Sequence, residues 1–377
     1  MADTPPGTAS GVPETDVDTL AAGLASSNPP LLLDVRSVDE QTEGMLYGAV
    51  SMPLPWAFPN VLLRLPSKAS GAQPPIVIYC ASGVRSAVAA QQLIRAGVAE
   101  VRSLRGGIDA WRRRGLAFAL PANSENAPLL QAAQRDRYAR QLRLPEIGVV
   151  GQVRLLQARV LCVGAGGLGS AASVYLAAAG VGTLGLVDDD RVALSNLNRQ
   201  IVHDTQRVGM LKVHSAAGML EALNPDCRVE PWDTRLTSQN AAEILQRYDL
   251  VIDGSDNLAT RYLVNDTAMR LGKPVIYGAV LRFEGQVSVF TGQPCYRCLF
   301  PEAPPPELAP SCEEAGVLGV VPGLVGVLQA TEAIKWITGI GDSLAGRLLT
   351  LDAMSMQMTT LTLAADPRCR SCAPDQD

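Results

Sequence analysis

Two cysteine pairs, Cys295-Tyr296-Arg297-Cys298 and Cys369-Arg370-Ser371-Cys372, stand far apart in a chain of 377 residues. CxxC hooks of this kind read as four thiolates around one tetrahedral zinc ion, a closed structural site that would clamp the carboxyl-terminal tail. The rival is a redox pair, but neither hook follows a thioredoxin-like βα unit. A second chemistry lies in Gly164-Ala165-Gly166-Gly167-Leu168-Gly169, which follows the apolar run 160–163. There a backbone without side chains and the start of a helix can approach an anion. The next apolar run ends at Asp188, about 20 residues on, where an acid can take a ribose hydroxyl. By itself this pattern favours NAD or FAD. Ser195-Asn196-Leu197-Asn198-Arg199 and Lys212 shift it towards ATP. Two cations there suit a triphosphate losing pyrophosphate, although most Lys and Arg are simply solvated.

A third chemistry centres on Cys80, in Cys80-Ala81-Ser82-Gly83-Val84-Arg85-Ser86, between the apolar run 75–79 and a helix expected over 87–96. Backbone N–H groups and a helix N-terminus around that sulfur would stabilise thiolate or persulfide charge. Asp256, in Gly254-Ser255-Asp256-Asn257, follows the buried run 249–253. A carboxylate at a strand end opposite phosphate cations is the natural magnesium ligand. Asp253 reads instead as a hydrogen-bonded turn residue, and Cys162 and Cys227 as buried packing.

These groups need two α/β domains to position them. The first has strands at 31–36 and 75–79. The second is a mainly parallel sheet, with strands at 160–163, 184–187, 228–231, 249–253 and 274–279 and an antiparallel turn after Gly285. Helices are expected over 170–179, 209–223 and 240–247, and a long apolar one over 320–337. The length allows two cores. A hydrophobic fraction of 47% with 18% charge is that of a soluble globular protein, and a net charge of −5 argues against nucleic acid as partner. No apolar run reaches the length of a membrane span, and the amino terminus lacks a secretion signal. Eight cysteines, four of them in hooks, suggest reduced thiols in the cytoplasm. With His203 and His214 the only histidines, histidine acid–base chemistry is an unpromising basis for a mechanism.

The combination of GAGGLG, the acid at Asp188, SNLNRQ, Lys212 and GSDN, from about Arg135 to Cys372, resembles the MoeB/ThiF family of ubiquitin-activating-type adenylyltransferases. The resemblance implies a Rossmann-like domain with a zinc-clamped carboxyl-terminal extension. ATP and Mg²⁺ would be held by Gly164, Gly166, Gly167, Gly169, Asp188, Ser195, Asn196, Leu197, Asn198, Arg199, Lys212, Asp256 and Asn257, and Zn²⁺ by Cys295, Cys298, Cys369 and Cys372. It further implies a homodimer in which Arg140 reaches the partner's phosphates. Cys312, after the Pro-rich crossover loop 301–307, would take part in acyl or sulfur transfer. The substrate would be the Gly-Gly terminus of a small ubiquitin-like sulfur carrier, foremost the small subunit of molybdopterin synthase in molybdenum cofactor biosynthesis, with a thiamine-pathway carrier as the alternative. The stretch 16–120, with its Asp34-Val35-Arg36 strand, CxxGxRS loop and closing Leu104-Arg105-Gly106-Gly107 and Ala110-Trp111, resembles a single-domain rhodanese. That implies a persulfide on Cys80, charged by a cysteine desulfurase or thiosulfate. A docking module on an enzyme that only adenylates, or an NAD-dependent oxidoreductase, would be the competing functions. Familiar eukaryotic relatives carry the rhodanese last, whereas here it comes first. Residues 1–15 read as a disordered tail, 121–130 as a linker and 131–377 as the adenylyltransferase domain.

Overall fold

The computed structural model describes residues 12–26, 29–41, 44–54, 75–117, 130–144, 146–303 and 315–373. The chain divides into two compact units at Val150/Gly151.

The first unit is built on a five-stranded parallel sheet in the order β1-β5-β4-β2-β3. Its strands are β1 (Glu14–Thr15), β2 (Leu31–Asp34), β3 (Val50–Ser51), β4 (Ile76–Tyr79) and β5 (Val101–Leu104). The central strand β4 is buried at every residue, as the unbroken apolar run Ile76-Val77-Ile78-Tyr79 demands of a parallel strand covered on both faces. Strand β1 falls inside the stretch expected to be disordered; it pairs with β5 through Glu14–Ser103 and Thr15–Leu104. The helix after Cys80 runs Val84–Arg95, starting earlier than its sequence suggested because Gly83, at φ +100°, makes the turn. The expected linker lies almost wholly outside the described residues.

The second unit holds an eight-stranded sheet in the order β13-β12-β11-β10-β9-β6-β7-β8. Five strands are parallel: β6 (Arg159–Val163), β7 (Thr183–Val187), β8 (Arg228–Trp232), β9 (Leu250–Asp253) and β10 (Val275–Leu281). Their order makes the gap between β6 and β9 the point where the winding reverses, and ligands bind there on open α/β sheets. Pro231 is tolerated in β8 because β8 is an edge. Antiparallel β11 (Glu284–Phe290), β12 (Arg347–Asp352) and β13 (Gln357–Thr362) extend the other edge. The turn into β11 falls at Arg282–Phe283, ahead of Gly285, with Arg282 at φ +55°.

The helix Val320–Thr338 is long and apolar enough to cross a membrane by length and composition. Val321, Val325, Ala330 and Ala333 are instead buried in the core it shares with Gly167–Ala179 and the sheet. Its Gln329 Nε2 donates to the carbonyls of Asp253 (2.8 Å) and Ile276 (3.0 Å), locking β9 and β10 where the site begins. Cys162 and Cys227 lie in this core, and burial pushes both thiols up to about 12, so they are packing groups.

Candidate active site

Strands β6, β7 and β9 finish in register, with Val163 opposite Val187 and Asp253, while β10 pairs Tyr277 with Asp253 and runs on to Leu281. Beyond their carboxyl ends lies a cavity of about 510 Å³, within the range of small-molecule sites. Gly164, Gly166, Gly167, Asp188, Ser195, Asn196, Arg199, Lys212, Asp256 and Asn257 line it. Gly169 does not. A Cβ there would strike the Gly164 carbonyl, so its missing side chain lets the helix Gly167–Ala179 sit against the turn. Leu197 and Asn198 also stay outside the lining; Asn198 Oδ1 accepts from Arg199 Nη1 at 3.1 Å, steadying that cation.

Asp188 is braced at both oxygens, by Ala165 N–H (2.8 Å) and Asp190 N–H (2.9 Å). Burial raises its pKa, with Lys212 opposing the rise. Each oxygen keeps acceptor capacity for a hydroxyl. Lys212 is 6% exposed, and its Nζ reaches Asp190 at 2.8 Å. His203 binds Ser215 Oγ through Nδ1 (2.9 Å) and the Ala165 carbonyl through Nε2 (3.2 Å), and burial lowers its pKa. The ring therefore holds the glycine turn and keeps its neutral form. Asp253 is the turn residue its sequence suggested: its Oδ1 accepts from Ser255 N–H (3.0 Å) and Oγ (2.6 Å). Asp256 is exposed and meets Asn257 Nδ2 at 3.2 Å. Such a lightly held carboxylate, in a cavity with cations, has hard oxygen atoms to offer a magnesium ion.

Sequence reasoning passed over Arg191, Gln200, Arg235 and Arg261 in the lining. Arg261 gave no local signal: one charged residue in the helix that follows the capping Asn257 is an ordinary surface pattern.

The four hook sulfurs all lie within 4.8 Å of one another, with Cys295–Cys369 at 3.6 Å and Cys298–Cys372 at 3.4 Å. A zinc ion with bonds of about 2.3 Å places tetrahedral sulfurs close to that spacing, so the donor set fits.

In the first unit, Cys80 is fully buried at the end of β4. Its Sγ accepts from Gly83 N–H at 3.1 Å and lies 3.5 Å from Ser86 Oγ. Ile108 and Asp109 N–H groups bind the carbonyls of Cys80 (2.9 Å) and Ala81 (3.0 Å). A Cβ on Gly107 would collide with those same carbonyls, which is why the closing motif carries glycine. Buried Arg36 clasps Asp34 through Nε (3.0 Å) and holds the Glu40 carbonyl (3.0 Å). Glu40 then meets Arg85 Nη1 at 2.7 Å, so the DVR strand braces the reactive loop. Arg85 pushes the Glu40 carboxyl down to about 2. A depressed carboxylate adds stability above its unfolded value of 4.5 and loses it as pH falls towards about 2. Both side chains are partly exposed, so the pair is worth at most about 1 kcal/mol. Glu40→Gln should remove that part of the acid-side slope in unfolding titrations; an unchanged slope would discard the pairing.

Arg140 is exposed on the helical turn Ala139–Leu142 of the first unit. Cys312 and residues 304–307 of the crossover loop lie outside the described residues.

A family model described as the ThiF family matches residues 138–371, and one described as a rhodanese-like domain matches residues 16–114. The sulfur carrier protein adenylyltransferase of Thermus thermophilus is 54% identical over 247 residues, covering 64% of this chain and 91% of its own length. The probable adenylyltransferase/sulfurtransferase MoeZ of Mycobacterium tuberculosis is 49% identical over 258 residues, 67% of this chain and 66% of MoeZ. The adenylyltransferase and sulfurtransferase MOCS3-1 of Zea mays is 49% identical over 239 residues, 63% of this chain and 51% of that protein. The match thus spans about two thirds and about half of those last two relatives. Among solved structures, E. coli MccB with ATP aligns at a TM-score of 0.56 and 20% identity, over 63% of this chain and 74% of MccB, a likeness of fold.

Proposed function

The chain belongs to the ThiF family and carries a rhodanese-like domain at its amino-terminal end, and on that premise we propose that it adenylates a small ubiquitin-like sulfur carrier and converts it to a thiocarboxylate. The observation that carries this reading is the cavity at the reversal of the sheet, where a glycine turn, Arg199, Lys212 and the lightly held Asp256 meet. The relatives' names, sulfur carrier protein adenylyltransferase and adenylyltransferase/sulfurtransferase, support it. The proposed domains are 16–120 for sulfur transfer and 131–377 for adenylation, joined by 121–130.

ATP would lie over the glycine turn with its ribose on Asp188 and its phosphates on Arg199 and Lys212. In a homodimer, Arg140 from a second copy would add a further charge. A carboxylate oxygen of the carrier's terminal glycine attacks the α-phosphorus, the bridging P–O bond breaks, and pyrophosphate leaves. Asp256 would hold the magnesium ion, whose charge offsets that of the departing pyrophosphate. The attacking carboxylate is already ionised at pH 7, so no general base is required, consistent with a neutral His203 tied to the backbone.

Sulfur reaches the acyl-adenylate from a persulfide on Cys80. The terminal sulfur attacks the acyl carbon and AMP leaves, giving an acyl disulfide. A second thiol, for which Cys312 is the candidate, then cleaves the S–S bond. The carrier departs as thiocarboxylate, and Cys80 is left in a disulfide that a reducing thiol from solution resets. Tethering both activities on one chain raises their effective concentration. The proposed carrier is the small subunit of molybdopterin synthase, with the thiamine-pathway carrier second. The proposed sulfur source is a cysteine desulfurase or thiosulfate, and the proposed compartment the cytoplasm.

ATP–pyrophosphate exchange with purified carrier tests the first half. Exchange that depends on the carrier's Gly-Gly terminus is the expected result. Tight binding of a nicotinamide dinucleotide with indifference to ATP would overturn the proposal.

A further inference from the structure

The helix Leu258–Leu271 makes side-chain contacts in two directions. At its start, Asn257 Oδ1 caps it by accepting Thr260 N–H at 2.9 Å. Arg261 Nη2 donates to the Ser255 carbonyl at 3.0 Å, and its guanidinium lies 5.4 Å from the centre of the Tyr277 ring. Those contacts fix the backbone on either side of Asp256.

One turn further on, the same helix meets the cysteine hooks. Asn265 Oδ1 accepts from Tyr296 N–H at 2.9 Å, and its Nδ2 lies 3.8 Å from Cys295 Sγ. Asp266 receives Arg297 through Nε (2.7 Å) and Nη2 (2.6 Å) and also accepts from Ser371 Oγ. Arg297 is an interior residue of the first hook and Ser371 of the second. One carboxylate therefore joins both hooks, although 74 residues separate Cys298 from Cys372. The Arg297–Asp266 pair is two-pronged and only 10% and 34% exposed, and Arg297 is stacked 4.3 Å from the Tyr262 ring centre. Such geometry outperforms an ordinary surface ion pair. Tyr296, inside the first hook, packs against Tyr262 (5.2 Å between ring centres) and against Tyr277 (5.3 Å), the ring that carries Arg261. The hooks and the loop at Asp256 are thus linked by continuous packing.

We infer that Asp266 is a positioning residue: it holds the two hooks together around their metal and, through its helix, couples their closure to the nucleotide loop at Asp256. This deepens the nucleotide-site reading and rests on it. The alternative is a local tie with no effect beyond the hooks.

The test uses the full chain as wild type, Asp266→Asn and Ser371→Ala. Zinc release to a chromogenic chelator reads the hooks independently of activity. ATP binding by calorimetry, without carrier, reads the loop. Asp266→Asn should release zinc about tenfold faster or more, as the loss of partners around metal ligands does elsewhere. It should weaken ATP about three- to tenfold. Ser371→Ala, which deletes one hydroxyl and is the gentler change, should move both in the same direction by less. Unchanged zinc release in both variants overturns the inference. Faster release with unaltered ATP affinity overturns the coupling and leaves the local tie. A wild-type protein that holds zinc but ignores ATP refutes the nucleotide-site reading itself, which separates the two failures.

Discussion

Asp256→Asn should lower carrier-dependent ATP–pyrophosphate exchange by about 10³-fold while leaving the protein folded. The structure separates these two effects. Asp256 is exposed, and its side-chain contact with Asn257 Nδ2 at 3.2 Å is one that an asparagine oxygen can still accept. The substitution removes a charge and little else. In the proposed reaction that charge holds the ion which offsets the pyrophosphate, and several kcal/mol of transition-state stabilisation pass through it. The loss should fall mainly on kcat, because on that proposal Arg199, Lys212 and the glycine turn would still hold ATP. Asp253→Ala, three residues earlier at the end of β9, should behave differently. That carboxylate is buried and binds the N–H and hydroxyl of Ser255, so its replacement should lower the unfolding midpoint as well as activity. Exchange near the wild-type rate in Asp256→Asn would remove it from the reaction, and equal destabilisation by the two substitutions would make its role structural.

The contrast between these two aspartates also marks what a sequence can disclose. Both were readable because their signals are local: a buried run ends, a turn follows, and the residues within it have few roles open to them. The glycine turn and the cysteine hooks were legible for the same reason, since a fixed spacing dictates the chemistry. Asp266 and Arg261 were not. Each is a charged residue on a helix, the commonest of surface patterns, and their importance depends on where Arg297, Ser371 and Ser255 arrive in the fold. The hairpin of β12 and β13 escaped notice for another cause. Every residue of Gln357–Thr362 is exposed, so no buried face imposes the alternation by which a strand is recognised. The extra cations of the cavity, Arg191 and Arg235, come from loops whose approach to the glycine turn is a property of the sheet order rather than of any motif.

Cys80→Ala should abolish thiosulfate:cyanide sulfurtransfer and leave adenylation at its wild-type rate. In the proposed sulfurtransfer reaction the Cys80 sulfur would attack the outer sulfur of thiosulfate, the S–S bond would break, and sulfite would leave. Cyanide would then take the terminal sulfur as thiocyanate and return the thiolate. No other sulfur could substitute within that loop: the Gly83 N–H group at 3.1 Å is aimed at this one atom, and Ser86 Oγ stands 3.5 Å from it. The scaffold should survive the change. Asp34, Arg36 and Glu40 brace the loop and hold Arg85 through bonds that the substitution leaves in place, and Ile108 and Asp109 bind backbone carbonyls that alanine retains. Cys80→Ser, which keeps the volume, controls for packing in a fully buried position. The decisive measurement is carrier thiocarboxylate by mass spectrometry, with ATP and thiosulfate supplied. Loss of thiocarboxylate in both variants, with pyrophosphate exchange intact, joins the two halves of the chain into one reaction. Thiocarboxylate formed at the wild-type rate by Cys80→Ala would mean that sulfur comes from elsewhere, and the rhodanese-like domain would be a docking module on an enzyme that only adenylates.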